Sequence, residues 1–246
     1  CNPHHLNDFK GLLGNGMQWG IQIQYKSQPS PDGIAEAFLL GKDFLEDKNV
    51  ALILGDNLFY GNNFENNLKT VNQEKKGATL FAYPVSDPSR YGIVNFDKDT
   101  NKVIDIVEKP INPKSNYAVT GLYFYDNNVI DYAETLTPST RNELEITDIN
   151  KMYLAEDTLK VKILGTGMAW LDTGTFDSLQ EAGTFIRTLE RRQGLKIGSP
   201  EETAWRNKFI NDDDLMELAS EISKSSYGSY LINLINSKFK KKDELI

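Results

Sequence analysis

Asp56 follows the short apolar run Val50-Ala51-Leu52-Ile53-Leu54 in the sequence Gly55-Asp56-Asn57, and Asp172 follows Trp170-Leu171 just ahead of Thr173-Gly174. Each carboxylate stands at a strand-end loop, the edge at which open α/β sheets bind ligands. Two such groups converging on one point suit Mg²⁺, which takes oxygen ligands, often one or two carboxylates with waters and substrate phosphates. That pairing fits phosphoryl or nucleotidyl transfer, where the metal neutralises charge on the moving phosphorus. Each aspartate also has a plainer reading. Gly-Asp-Asn forms turns, and Asp172, Thr173 or Thr175 can each cap the helix that follows.

Glu108-Lys109-Pro110 places a second kind of chemistry at another strand end. Lys109 can hold a phosphate as a point charge, and Glu108 can accept hydrogen bonds from sugar hydroxyls. An exposed ion pair is the alternative. Gln28, five residues before Gly33 in Gln-Pro-Ser-Pro-Asp-Gly, offers an amide donor and acceptor that match the imide edge of thymine or uracil. Gly33 allows close backbone approach, or simply completes a tight Pro/Gly turn. Cys1, His4 and His5 resemble a metal cluster but have no clear fourth ligand, so a solvated polar cluster is the reading.

The elements that must hold these groups alternate between helix and strand, the pattern of an α/β fold with a largely parallel sheet. Helices are expected over Leu6–Leu13, from Ile34 to Leu45, over Thr147–Ala155 with Thr147 as N-cap, and over Thr175–Gln193. Strands are expected over Ile21–Tyr25, Val50–Leu54 (buried on both faces), Ala78–Val85, Gly92–Phe96 with Lys102–Val107 as a hairpin, Tyr117–Tyr125 and Leu159–Leu164. After Pro200 only helical signals remain, with Asp212-Asp213-Asp214 opening one of them. The expected organisation is an α/β domain over 1–194 and a helical extension of it over 195–246.

The 246 residues carry 27 Lys+Arg against 35 Asp+Glu, a net charge of −8. This balance argues against a nonspecific nucleic-acid binder. Hydrophobic residues at 39% and charged residues at 25% describe an ordinary globular chain rather than a disordered one. One cysteine fits a reducing compartment, and neither a signal peptide nor an apolar run long enough to span a bilayer is visible, so a cytoplasmic protein is expected. Gly165-Thr166-Gly167 opens no helix and is no dinucleotide fingerprint. Lys242-Asp243-Glu244-Leu245 is followed by Ile246 and so is no retention signal, and the lysines from Lys238 read as a solvated helix end.

Taken in order, Gln28–Gly33, Leu54-Gly55-Asp56-Asn57, Arg90-Tyr91-Gly92, Glu108-Lys109-Pro110, Asn116–Tyr123 and Trp170–Gly174 closely resemble the glucose-1-phosphate thymidylyltransferases. The resemblance runs from residue 1 past Arg206. It implies a Rossmann-like, mostly parallel mixed sheet with helices on both faces and a C-terminal helical appendage. It implies that dTTP and glucose 1-phosphate give dTDP-glucose and pyrophosphate, a step toward dTDP-rhamnose. By that likeness Asp56 and Asp172 hold Mg²⁺, with Lys109 completing the catalytic set. Gln28 and Gly33 read the thymine. Asn57, Gly92, Glu108, Lys109 and Val119 contact substrate, while Tyr91 and Trp170 wall the sugar pocket. The likeness further implies a homotetramer and a regulatory nucleotide site involving Lys196, Glu201, Glu202 and Arg206. Asn62 stands where the family has histidine.

The family's N-terminal strand and glycine-rich phosphate loop have no counterpart in the sequence, so this chain is expected to be a fragment with little transferase activity by itself. A non-catalytic nucleotide-sugar-binding or regulatory fragment is the alternative function. A metal-dependent glycosyltransferase would carry an Asp-x-Asp pair, which Asp56-Asn57-Leu58 is not.

Overall fold

The computed structural model describes residues 1–243; Glu244–Ile246, which include the last two residues of the tetrapeptide discussed above, lie outside it, as do the side chains from Lys238 onward. In chain order the elements are α1 (Leu6–Leu13), α2 (Glu36–Leu40), α3 (Lys42–Leu45), β1 (Val50–Ile53), β2 (Asn57–Gly61), α4 (Phe64–Asn72), β3 (Ala78–Pro84), β4 (Gly92–Phe96), β5 (Val103–Glu108), β6 (Tyr117–Tyr125), α5 (Asn128–Thr135), α6 (Ile146–Ala155), β7 (Leu159–Ile163), β8 (Met168–Asp172), α7 (Phe176–Gln193), α8 (Pro200–Arg206), α9 (Asp212–Glu221) and α10 (Ser226–Asp243). Contacts group them into two compact units. One is Gln28–Ala182; the other joins Cys1–Ser27 to the chain from Gly183 onward. The sequence places the domain boundary at 194/195, whereas this division falls earlier, inside α7, and groups the first 27 residues with the second unit.

In the first unit the main sheet runs β5-β4-β6-β3-β7, with β1 also paired to β6. Strand β6 is antiparallel to β1, β3 and β4, while β3 and β7 are parallel. Four of the six strands therefore share one direction, and β5 and β6 run against them. Because the reversed β6 sits in the middle, most neighbouring pairs are antiparallel in what is a mixed sheet.

Side-chain alternation assigns the two faces. Leu80 and Ala82 of β3 with Val119, Tyr123 and Tyr125 of β6 face Phe38 of α2, Val129 and Ile130 of α5, and Ile149 and Tyr153 of α6. The intervening Phe81 and Leu122 face Val71, Leu68 and Phe64 of α4. Each large side chain so covered contributes about 1.5–3 kcal/mol relative to exposure. In the second unit α8, α9 and α10 bury Ala204, Leu215, Leu231 and Ile235 against one another, with Trp19 packed on them. Helix α9 opens on a capping box in which Asn211 accepts from Asp213 and Asp214 N–H groups and Asp214 accepts from Asn211 N–H.

Several expectations need correction. Residues 21–25 alternate like a strand but form none. Ile21 and Ile23 donate instead to the carbonyls of Gly16 and Asn15, and no neighbouring strand offers a ladder. The helix expected over 34–45 breaks at Gly41, which separates α2 from α3. β1 is not buried on both faces: Val50 is covered, while Ile53 is 59% exposed. Thr147 lies inside α6 and caps nothing; Glu145 holds the cap position, and the Thr147 hydroxyl bonds elsewhere.

Candidate active site

A two-stranded ribbon unites the two aspartates. β2 and β8 pair antiparallel with Asn57 opposite Asp172, Leu58 opposite Leu171 and Phe59 opposite Trp170. Just beyond the ribbon, Thr173 donates both its N–H and its hydroxyl to the Asp56 carbonyl, at 2.9 and 2.8 Å. The backbone thus clamps Asp56 beside the Asp172 loop. Both carboxylates line a cleft of about 220 Å³, together with Asn57, Tyr91, Gly92, Glu108, Lys109, Val119 and Trp170. Thr175, not Asp172, caps α7 by accepting from the Ser178 N–H at 3.2 Å. Asp172 Oδ1 accepts only a local N–H, from Gly174 at 3.2 Å.

Asn57 is the joint of this site. Its Oδ1 accepts from Gly121 N–H at 2.9 Å and from Trp170 Nε1 at 2.6 Å, and its Nδ2 donates to Asp56 Oδ1 at 2.8 Å. One carboxamide therefore ties β6, β8 and the Asp56 carboxylate together. The approach is close enough that a Cβ on Gly121 would lie 2.7 Å from the Asn57 side chain. Trp170, 9% exposed, meets the rings of Tyr91 and Tyr83 edge-on at 5.2 and 5.9 Å. Burial pushes the Tyr91 phenol above its ordinary range, and the nearby Asp172 charge adds to this against the opposing pull of Arg90.

On the opposite wall Glu108 ends β5 across from Gly92. Thr147 donates its hydroxyl to Glu108 Oε2 at 2.6 Å, and the Arg141 guanidinium approaches Glu108 Oε1 at 3.6 Å. Arg141 also makes a two-pronged contact with Glu145, at 3.1 and 2.7 Å, and Ser139 donates to the same carboxylate at 2.7 Å. Burial works to raise the Glu145 pKa, but the Arg141 and Ser139 hydrogen bonds and the Arg141 and Lys109 charges outweigh it, so it lies below the usual carboxylate value. Lys109 takes a left-handed backbone (φ 43°), turning the chain just after the strand.

Gln28 and Gly33 are not among the residues that line the cleft. Gln28 Nε2 donates to Gly33 O at 3.1 Å and to Glu36 Oε2 at 2.6 Å, which leaves its Oε1 as the group open to a ligand donor. Gly33 has φ 113°, and a Cβ there would strike the Leu144 carbonyl oxygen at 2.3 Å. In the other unit, Lys196 pairs with Glu190 at 2.6 Å. Glu201 accepts from Trp19 Nε1 at 3.2 Å and from the Tyr227 hydroxyl. Glu202 accepts from Arg206 Nε at 2.7 Å and from the Tyr230 hydroxyl at 2.6 Å.

Among the described residues no group of three or more His, Cys, Asp or Glu side chains could cage a metal ion. Two carboxylates beside a cleft suit instead a hard divalent cation that keeps waters and takes substrate phosphate oxygens. The sequence does not assign the roles of Thr147 and Arg141, nor that of Gly121 within the Asn116–Tyr123 motif. Thr147 fits a helix cap by type and position, Arg141 lies in a polar loop without periodicity, and Gly121 inside a strand is the one signal of close approach.

The nucleotidyl transferase family model matches residues 1–188. A glucose-1-phosphate thymidylyltransferase of Neisseria meningitidis is 50% identical over 233 residues, 95% of this chain and 81% of the relative. One of Xanthomonas campestris is 52% identical over 232 residues, 94% and 78% of the two chains. A solved structure named as a Bacillus anthracis glucose-1-phosphate thymidylyltransferase superposes with TM-score 0.69 at 38% identity, covering 81% of this chain and 76% of that one. A UDP-glucose pyrophosphorylase structure at 21% identity and TM-score 0.59, covering 67% and 66%, shares the fold. With the ordered motifs and the cleft that gathers them, this likeness makes the chain a nucleotidyl transferase of the glucose-1-phosphate thymidylyltransferase family.

Proposed function

We propose that this chain transfers the thymidylyl group of dTTP to glucose 1-phosphate, giving dTDP-glucose and pyrophosphate. The observation that carries the reading is the single cleft shared by Asp56, Asp172, Glu108 and Lys109, in a chain half identical to enzymes of that name. A phosphate oxygen of the sugar phosphate forms the new bond to the α-phosphorus. The bond from that phosphorus to the bridging oxygen breaks in line, and the electron pair leaves with pyrophosphate. The attacking phosphate is already ionised, so no general base is required. The work left to the protein is to hold two anions together.

Each residue has a role in that task. Lys109 brings a fixed positive charge to the sugar phosphate. Glu108, held by Thr147, accepts from sugar hydroxyls. Tyr91 and Trp170 present ring faces and edges to the sugar and keep water from that side. Gln28 Oε1 accepts the thymine N3–H. Asp56 and Asp172 would hold the divalent cation, taken here as Mg²⁺, which supplies charge neutralisation at the triphosphate when bound. By the same likeness the enzyme is a cytoplasmic homotetramer, with Lys196, Glu201, Glu202 and Arg206 contributing to a regulatory nucleotide site.

Pyrophosphate release measured with dTTP, glucose 1-phosphate and Mg²⁺ tests the reading. Release that requires all three supports it. Absence of release, from protein that still binds both substrates by calorimetry, would favour a binding role instead.

A further inference from the structure

Three residues on one face of α6, Ile146, Thr147 and Asn150, line the cleft. Thr147 is committed to Glu108. Asn150, one helical turn deeper, is completely buried. Its Oδ1 accepts from the Tyr125 hydroxyl at 2.7 Å, but its Nδ2 has no hydrogen-bond partner. Leaving a buried amide donor unmade is expensive, and native interiors seldom tolerate it without a purpose.

The surroundings anchor the oxygen end of that carboxamide. Tyr125 is buried in the main core, stacked between Tyr123 and Tyr153 at 6.1 and 5.6 Å and met edge-on by Phe38. Burial raises the Tyr125 phenol well above its ordinary value, so it stays protonated and donates. The core side of the Asn150 carboxamide is therefore occupied at its oxygen, and a partner for the nitrogen comes from the cleft side. On β6 the positions facing this way run Val119, Gly121, Tyr123 through the cleft and then Tyr125 into the core, which places Asn150 at the cleft's inner end.

We infer that Asn150 is a specificity-determining residue whose carboxamide donates to one hydroxyl of the bound sugar at the inner end of the cleft. The inference rests on the sugar-phosphate reading given above and adds to it a recognised atom. An inner-end hydroxyl that donates to the Glu108 carboxylate and accepts from Asn150 has both its donor and its acceptor used. A hydrogen in its place leaves the buried Asn150 donor unpaired, so the deoxy analogue is rejected more strongly than lost contact alone would cause. Tyr125 then acts as a positioning residue, fixing the carboxamide without touching the sugar.

The test is calorimetric binding of glucose 1-phosphate and its 2-, 3-, 4- and 6-deoxy analogues to the full chain and to Asn150→Asp. That variant keeps the side-chain volume and an acceptor for Tyr125 but puts a carboxyl oxygen in place of the amide N–H, so the same binding is measured on Asn150→Leu, which has no donor and no charge and should lose the preference equally. The unmodified chain is expected to disfavour one deoxy analogue by at least roughly tenfold. In Asn150→Asp the preference at that position should shrink to about twofold, with dTTP affinity unchanged and the other positions unaffected. Tyr125→Phe should reduce the same preference partially, by about threefold, at that position alone. Identical preferences in Asn150→Asp and the unmodified chain would overturn the inference while leaving the sugar-phosphate reading intact. Failure of the unmodified chain to bind any of the five sugar phosphates would overturn that reading, and this inference with it.

Discussion

Gly121→Ala is the sharpest probe of how the site is held together. Gly121 does not have a left-handed backbone, so alanine costs nothing in φ and gains about 0.5 kcal/mol in chain entropy. Its cost lies in space. The new Cβ would stand 2.7 Å from Cγ, Oδ1 and Nδ2 of Asn57, closer than real contacts allow, so the carboxamide must move. Moving it removes the acceptor from the Gly121 N–H and from Trp170 Nε1–H, two donors in buried or nearly buried residues. At about 1–3 kcal/mol for each orphaned donor, the substitution should destabilise by about 2–5 kcal/mol, a large part of a typical domain's stability. Asp56 loses the amide that orients it at the same time, so turnover should fall as well. Urea unfolding followed by tryptophan fluorescence measures the first effect and pyrophosphate release the second. The decisive comparison is the double-mutant cycle with Asn57→Ala. Without the carboxamide there is nothing to displace, so Gly121→Ala should cost almost nothing in that background. An equal penalty in both backgrounds would refute the reasoning, because Gly121 would then be needed for something other than Asn57.

Further outcomes follow from the same geometry. Asp172→Asn should lower kcat by orders of magnitude with little change in urea midpoint, since Asp172 accepts only the Gly174 N–H within the protein; an unchanged rate would leave it a turn residue. Gln28→Ala should weaken dTTP binding by about 1–3 kcal/mol relative to dCTP, whose ring N3 carries no hydrogen, and equal discrimination before and after would remove Gln28 from base recognition. The lowered Glu145 pKa means its ion pair with Arg141 stabilises the fold fully above the unfolded carboxylate value of about 4.3. That contribution is lost as pH falls through the lower folded value, so Glu145→Gln should flatten the stability profile between about pH 5 and 3. Thermal unfolding across that range, giving parallel profiles for the two proteins, would show that Glu145 does not titrate as described.

The motifs were legible in the sequence because each is local: Asp56, Glu108-Lys109 and Trp170–Asp172 sit at turns whose residue types announce them. The device that brings them together was not legible. The β2–β8 ribbon pairs Asn57 with Asp172 across most of the unit, and its segments, rich in glycine and asparagine at their ends, resemble loops when read alone. Tyr117–Tyr125 and Leu6–Leu13 were readable to the residue, since a nine-residue run rich in β-branched and aromatic side chains and a helix stopped by Gly14 are both strong local signals. Residues 21–25 show the converse, a period-two pattern with no edge to join. Thr147 shows a third kind of failure. Its type and position fit a cap, but a carboxylate distant in sequence claimed its hydroxyl.

The placement of β6 also sets the order in which this protein can come together during synthesis. Val50, Ala78 and Ile93 all find their partners on a strand made after them, Tyr125 for the first two and Ala118 for the third. Until that strand leaves the ribosome, β1 and β3 travel without a ladder and β4 has only its hairpin partner β5. The clamp between Asp56 and Thr173 must wait longer still. Such non-local pairing slows folding and exposes unpaired strand edges meanwhile. A pause in translation before residue 117 should therefore raise the yield of aggregate far more than one after residue 175.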